Sequence, residues 1–185
     1  MDLILASNSP RRKDILEKFG YVFQVVKSKF LESEVFSDPV KTVINFAKGK
    51  ALDVFNGFDD KRKAIILGAD TVVFADGKIL GKPKTVADAK SMLQSLSRKE
   101  HRVITGFAVV SEKIRVFGYD VSKVVFNTLS KELIDDYVKS GKPFDKAGGY
   151  GIQDGYNLVK DVYGSINNVI GLPIEKIKPI LDGFL

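Results

Sequence analysis

Apolar positions along the chain fall alternately into short runs and into spaced faces, which predicts interleaved strands and helices. Leu3-Ile4-Leu5-Ala6 is an apolar run that reads as a strand, feeding a helix from Ser9 to about Phe19 that Gly20 ends. Tyr21 to Val26 reads as a second strand. Asp38-Pro39 opens a longer helix to about Phe55, in which Val43, Phe46, Ala47, Lys50, Ala51 and Val54 share one face and Asn56-Gly57 marks the end. Ala64 to Gly68 is a buried strand by composition and continues through Thr71-Val72-Val73-Phe74. Asp76-Gly77 is a hairpin turn signal returning through Lys78-Ile79-Leu80. Thr85 caps a helix through Leu96, His101 to Val110 alternates as a strand, and Ile114 to Phe126 reads as its hairpin partner. Ser130 caps a helix to about Lys139. After the glycine-rich segment KPFDKAGGYGIQDGY, Asn157 to Val162 reads as a strand and Pro173 opens a helix to about Leu181. The interleaving argues for an α/β fold around a mixed sheet.

Composition narrows the class. A chain of 185 residues, 44% hydrophobic and 28% charged, is long enough for a sizeable core, and one domain over residues 1–185 is expected. No apolar run reaches about 18 residues, and the start MDLILASNSPRR has the charge order opposite to a signal peptide, so a cytoplasmic protein without membrane association is expected. Cysteine is absent, which removes disulfides, thiolate metal sites and cysteine nucleophiles. A net charge of +6 suggests a polyanionic partner, whether nucleic acid, an anionic membrane or a phosphorylated small molecule.

Four places hold candidate chemistry. In ASNSPRRK, at residues 6–13, Ser9-Pro10 reads as a helix start, yet Arg11, Arg12 and Lys13 put cations at the positive end of the helix dipole, which costs about 0.3–1 kcal/mol. With Ser7 and Ser9 they form either a phosphate site or a solvated basic turn. Asp70 interrupts an apolar strand, as a general base or Mg²⁺ ligand or else as a solvent-facing residue at a bend. Lys82 and Lys146 lie beside glycines and can reach a phosphate or simply face solvent, while Lys50 falls on the apolar side of its helix, where a lysine also snorkels. Gly148-Gly149-Tyr150-Gly151-Ile152-Gln153 permits close backbone approach, and Gln153 offers a donor and an acceptor to a base edge; a structural turn explains the glycines equally well. The chain carries no P-loop, no dinucleotide fingerprint and only one histidine, His101, which reads as structural.

Taken together, LILASNSPRRKDIL at 3–16, FAKGKA at 46–51, GADTVV at 68–73, GKP at 81–83, HRVITGFAV at 101–109, DKAGGYGIQ at 145–153 and NNVIGLP at 167–173 resemble the Maf family of nucleoside triphosphate pyrophosphatases. The motifs occur in family order across nearly the whole chain. The resemblance implies an elongated mixed β-sheet with flanking helices in two lobes around a central cleft, related to the inosine-triphosphatase (Maf/Ham1) type, and often a homodimer. It implies hydrolysis of a nucleoside triphosphate to monophosphate and pyrophosphate with a divalent cation, Mg²⁺ or Mn²⁺. Asp70 is then the expected general base. Ser7, Arg11, Arg12, Lys50, Lys82 and Lys146 match positions near the triphosphate, and Glu32, with Glu34 as a close competitor, matches an acid that helps Asp70 hold the metal. Arg12, Thr71 and Gln153 resemble the branch acting on dTTP and UTP, modified pyrimidine nucleotides included, and are the expected specificity positions. The chain departs from the family pattern at Ile166, where an aromatic is common, and at Gly149, where alanine is common. On this reading the counter-charge to the basic helix start arrives with the substrate. A reading from another class keeps the fold without the activity, as a nucleic-acid-binding or cell-division regulatory protein. Steep salt dependence of binding to long DNA would mark that case, whereas the enzyme reading expects no stable nucleic-acid complex.

Overall fold

The computed structural model describes residues 1–185 except for the side chain of Arg62. In chain order the elements are β1 (Asp2–Leu5), α1 (Pro10–Lys18), β2 (Phe23–Val25), α2 (Pro39–Asn56), β3 (Ala64–Ala75), β4 (Lys78–Leu80), α3 (Val86–Leu96), β5 (Glu100–Val110), β6 (Arg115–Phe126), α4 (Lys131–Lys139), β7 (Val159–Tyr163), α5 (Ile166–Ile170) and α6 (Ile174–Asp182). Seven strands make one mixed sheet in the order β2-β1-β3-β5-β6-β7, with β4 also on β3. The fold is therefore α/β, as the interleaved pattern predicts. β1 runs parallel to both β2 and β3, with Leu5 opposite Leu67, whereas β3–β4 and β6–β7 are antiparallel.

Local signals account for most element ends. The Asp38 carboxylate accepts the Val40 N–H, Thr85 and Asp88 form a reciprocal capping box, and Ser130 Oγ accepts the Leu133 N–H. Asp76 and Gly77 both have positive φ, 48° and 74°, as the tight β3–β4 hairpin requires. β3 runs unbroken through Asp70, as a strand continuing to Phe74 requires. Two expectations are corrected. Ser9 precedes α1 but its side chain makes no capping bond; instead its N–H donates to Ser7 Oγ at 3.2 Å. The segment from Asn157 forms a strand only from Val159, and α5 had no counterpart in the sequence pattern.

The chain divides into two compact units. The first comprises residues 1–71, 105–120 and 171–185. Its core packs Ala47, Ala51, Val54 and Phe55 of α2 against Ile4 of β1, Ile66 of β3, and Ala108 and Val110 of β5. The second comprises residues 72–104 and 121–170. Its core joins Leu93 and Leu96 of α3, Ile134, Tyr137 and Val138 of α4, and Val103, Val124 and Phe126 of β5 and β6. Among the described residues no helix is long and apolar enough to cross a membrane.

Candidate active site

Two glycines bring α2 unusually close to the sheet of the first unit. A Cβ at Gly68 of β3 would lie 2.3 Å from the Ala47 carbonyl oxygen, and one at Gly106 of β5 would lie 2.4 Å from the Val43 carbonyl oxygen. Only hydrogen fits at either position. Lys50 follows Ala47 by about one helical turn and Asp70 follows Gly68 by two strand positions, so this approach sets the two side chains against each other. Lys50 Nζ donates to Asp70 Oδ1 at 2.7 Å and lies 2.6 Å from Glu32 Oε1. One ammonium thus bridges two carboxylates. Of the two candidate acids, Glu32 makes this contact.

Burial decides between the two readings of Asp70: the residue is 8% exposed inside a continuous strand, so it is not a solvent-facing residue at a bend. Loss of hydration pushes its carboxyl above the ordinary range, while the charges of Lys50 and Arg12 and the Lys50 hydrogen bond pull it back down. Glu32, whose side chain is about half exposed at 48%, adds a smaller upward push. Lys50 does not snorkel past the apolar face; it ends on Asp70 and Glu32.

Arg12 also turns inward. It is buried, and its Nε donates to the Gly171 carbonyl at 2.8 Å, Nη1 to Ser7 Oγ at 3.0 Å and Nη2 to Thr71 Oγ1 at 3.2 Å. Thr71 Oγ1 continues the chain to Thr105 Oγ1 at 3.0 Å. Desolvation holds the guanidinium below its ordinary value, opposed chiefly by the Asp70 charge. Part of the positive charge at the start of α1 is therefore met by the protein's own carbonyl, hydroxyl and carboxylate groups. Arg11 is half-buried and adds its charge beside Arg12. The first unit thereby brings Ser7, Arg12 and Thr71 into one network and Glu32, Lys50 and Asp70 into another.

Lys82, Lys146 and Gln153 belong to the second unit. There the Gly148 N–H donates to the Gly81 carbonyl at 2.9 Å, so the turn before Lys82 meets the turn after Lys146. Gly148 has φ of 69°, and a Cβ on it would lie 2.8 Å from Val73, so both conformation and space require glycine there. Lys82 is exposed and Lys146 is not. Lys146 Nζ donates to the Lys142 carbonyl and to Asp145 Oδ1, each at 2.6 Å, and lies 3.4 Å from Asp154 Oδ2. Tyr137 donates its hydroxyl proton to Asp154 at 2.5 Å and accepts the Gly151 N–H at 3.0 Å, fixing the segment that carries the exposed Gln153.

Thr105, the Gly171 carbonyl, Tyr137 and Asp154 were not read from the sequence as members of these networks. Thr105 and Gly171 lie within HRVITGFAV and NNVIGLP, so the motifs were the available signal, and the φ of 125° at Gly171 shows why a glycine stands there. His101 is structural, as expected: it is 2% exposed, contacts the Tyr150 hydroxyl through Nε2 at 2.7 Å and packs edge-on against Phe126.

A family model described as "Maf-like protein" matches residues 2–184. A protein of Aquifex aeolicus named dTTP/UTP pyrophosphatase is 45% identical over 182 residues, covering 98% of this chain and 94% of its own. Proteins of the same name from Clostridioides difficile and Bacillus cereus are 42% and 44% identical, covering 100% and 98% of this chain and 95% of their own.

Proposed function

The chain belongs to the Maf family, and from that membership and the buried Asp70–Lys50–Glu32 constellation we propose that it hydrolyses nucleoside triphosphates, dTTP and UTP above all, to the monophosphate and pyrophosphate. The observation that carries the chemistry is a carboxylate held in a strand interior, next to an ammonium that it shares with a second carboxylate. In the reaction, a water oxygen forms a bond to the α-phosphorus, the bond from that phosphorus to the bridging oxygen of the β-phosphate breaks, and pyrophosphate leaves with the electron pair. Asp70 accepts the proton lost by the water, and the Lys50 charge and hydrogen bond favour the carboxylate form against the burial that raises it.

Glu32 and Asp70 fit a divalent cation, because their oxygens already converge on a single positive charge, the Lys50 ammonium. Among the described residues no group of three or more metal-ligating side chains comes together. That suits Mg²⁺ or Mn²⁺, which binds through one or two carboxylates and completes its shell with water and phosphate oxygens. When bound, the ion supplies charge stabilisation to the triphosphate and the leaving pyrophosphate. Ser7, Arg11 and Arg12 stand at the start of α1, where backbone N–H groups and guanidinium forks favour phosphate oxygens. Lys82 and Lys146 offer further cations to the phosphates. Arg12, Thr71 and Gln153 set base preference, since a polar group left unpaired by the wrong base penalises it.

Product analysis tests the reading. The purified protein is incubated with a panel of nucleoside triphosphates in Mg²⁺, in Mn²⁺ and in chelator. Pyrophosphate and monophosphate from dTTP and UTP, abolished by chelator, are the expected outcome. Orthophosphate as the first product, or no turnover of any nucleotide, would contradict it.

A further inference from the structure

Between β2 and α2 the chain runs through residues 26–38 with no helix or strand, yet this segment carries Glu32. It has little core of its own: Leu31 is 79% exposed and Val35 60%. Besides the Lys50–Glu32 ion pair and Lys41 over the Phe36 ring, a stripe along α2 holds it. At the near end, Asp53 Oδ2 accepts from Ser28 Oγ at 2.8 Å and from the Lys29 N–H at 2.6 Å. At the far end, Thr42 Oγ1 accepts the Phe36 N–H at 3.0 Å, and its one proton is shared between the Asp38 carbonyl at 3.0 Å and the Phe36 carbonyl at 3.2 Å. Between them, Phe30 meets Phe46 edge-on at 6.3 Å and covers Gly49 so closely that a Cβ there would fall 2.4 Å from ring carbons Cε2 and Cζ. Residues 42, 46, 49 and 53 are spaced four, three and four apart, which is one face of a helix.

Gly49 is otherwise unfavourable. A glycine in a helix interior costs about 1 kcal/mol relative to alanine, and nothing in the backbone of α2 requires one. Its use is the flat seat that it gives the Phe30 ring. The seat adjoins Lys50 in sequence, and Phe30 stands two residues before Glu32, so the same contact that docks the ring sets the Glu32 carboxylate over the Lys50 ammonium.

We infer that the stripe Thr42–Phe46–Gly49–Asp53 with Phe30 is a positioning device for the divalent-cation site, which holds the Glu32 segment in its metal-binding geometry. The inference rests on the proposed role of Glu32 as a metal acid. It makes Phe30 and Gly49 positioning residues that touch neither substrate nor metal.

The test uses Mn²⁺ alone as probe. Ion bound by the full-length protein without nucleotide is read from the electron paramagnetic resonance signal of the free ion, alongside the Mn²⁺ concentration that half-saturates dTTP turnover. Phe30→Ala and Gly49→Ala are each expected to weaken Mn²⁺ binding by about tenfold or more, the scale found when a residue supporting a metal ligand is lost. At saturating Mn²⁺ the kcat and the KM for dTTP are expected to stay within about threefold of the parent, because the groups that meet the nucleotide are untouched. The double variant is expected to bind Mn²⁺ no more weakly than either single one, since both remove the same contact. Gly49→Ala is further expected to lower the melting temperature less than Phe30→Ala does, because the helix gain of alanine, about 1 kcal/mol, offsets part of the lost ring contact; a general loss of structure would move both readouts together. Glu32→Gln separates the role of Glu32 from that of the residues that position it. If it weakens Mn²⁺ binding while Phe30→Ala and Gly49→Ala bind as the parent does, the positioning role is overturned and the role of Glu32 stands. If Glu32→Gln binds as the parent does, Glu32 is not a metal acid and the inference falls with it. Should Gly49→Ala fail to fold, Phe30→Ala, a half-buried side chain outside any helix or strand, decides the matter alone.

Discussion

Asp70 and His101 are both buried titratable side chains, and their surroundings give them opposite uses. Asp70 meets the charges of Lys50 and Arg12, which oppose the burial that raises its carboxyl above the ordinary range. His101 has an aromatic and hydroxyl environment instead, and burial alone lowers its value from 6.5 to about 4. Below pH 6.5 the unfolded chain therefore takes up a proton that the folded one refuses, and stability falls as pH drops towards 4 at up to about 1.4 kcal/mol per pH unit. His101→Gln is expected to be less stable than the parent near pH 7.5, and the gap is expected to narrow by about 2 kcal/mol at pH 5 because the variant lacks this proton linkage. Denaturant unfolding at the two pH values checks it; a gap of constant size would contradict the assignment. The role of His101 was legible because a lone histidine in an apolar alternation has no partner for catalysis or metal binding. That of Arg12 was legible only in part. Its basic context pointed to a phosphate, but nothing near it in sequence announced Gly171, 159 residues away, as the carbonyl that holds it.

Among the elements, α2 does most to assemble the site. One face carries the core residues and Lys50, another holds the Glu32 segment, and the depth at which it sits is permitted by Gly68 and Gly106. Gly68→Ala is expected to force the helix away from β3, costing about 1–3 kcal/mol as overpacking does, and to lower activity further by withdrawing Lys50 from Asp70. Gly57→Ala, where the nearest atom would be an ordinary 3.5 Å from the new Cβ, serves as the control and is expected to be near neutral. Unfolding and turnover measured on both variants decide whether the glycine acts through packing. Helix starts at Pro39, Thr85 and Ser130 and the turn at Asp76-Gly77 were readable because their causes lie within four residues. α5, five residues long, shows no period to read, and the segment before α2 is held by side chains spread over three turns of a helix that follows it. Such contacts leave no local pattern.

At the scale of the whole molecule, each compact unit has its own apolar core, and the sheet order places β1 beside β3, so that Ser7 and Arg12 after β1 meet Thr71 of β3. The α/β class followed from periodicity, and the resemblance of ordered motifs supplied the candidate site residues by number. Sequence alone could not show that Lys50 joins Asp70 to Glu32, because those three are separated by 18 and 20 residues and meet only through the packing of α2 on β3. The net charge of +6 fits a triphosphate substrate, and the proposed mechanism requires Asp70 to take the proton of the attacking water. The most direct measurement compares Asp70→Asn with the parent for both turnover of dTTP and affinity for it. Turnover reduced by about 10²–10⁴-fold, with nucleotide affinity largely kept, is the expected result. Near-normal turnover in that variant would remove Asp70 as the base and contradict the mechanism.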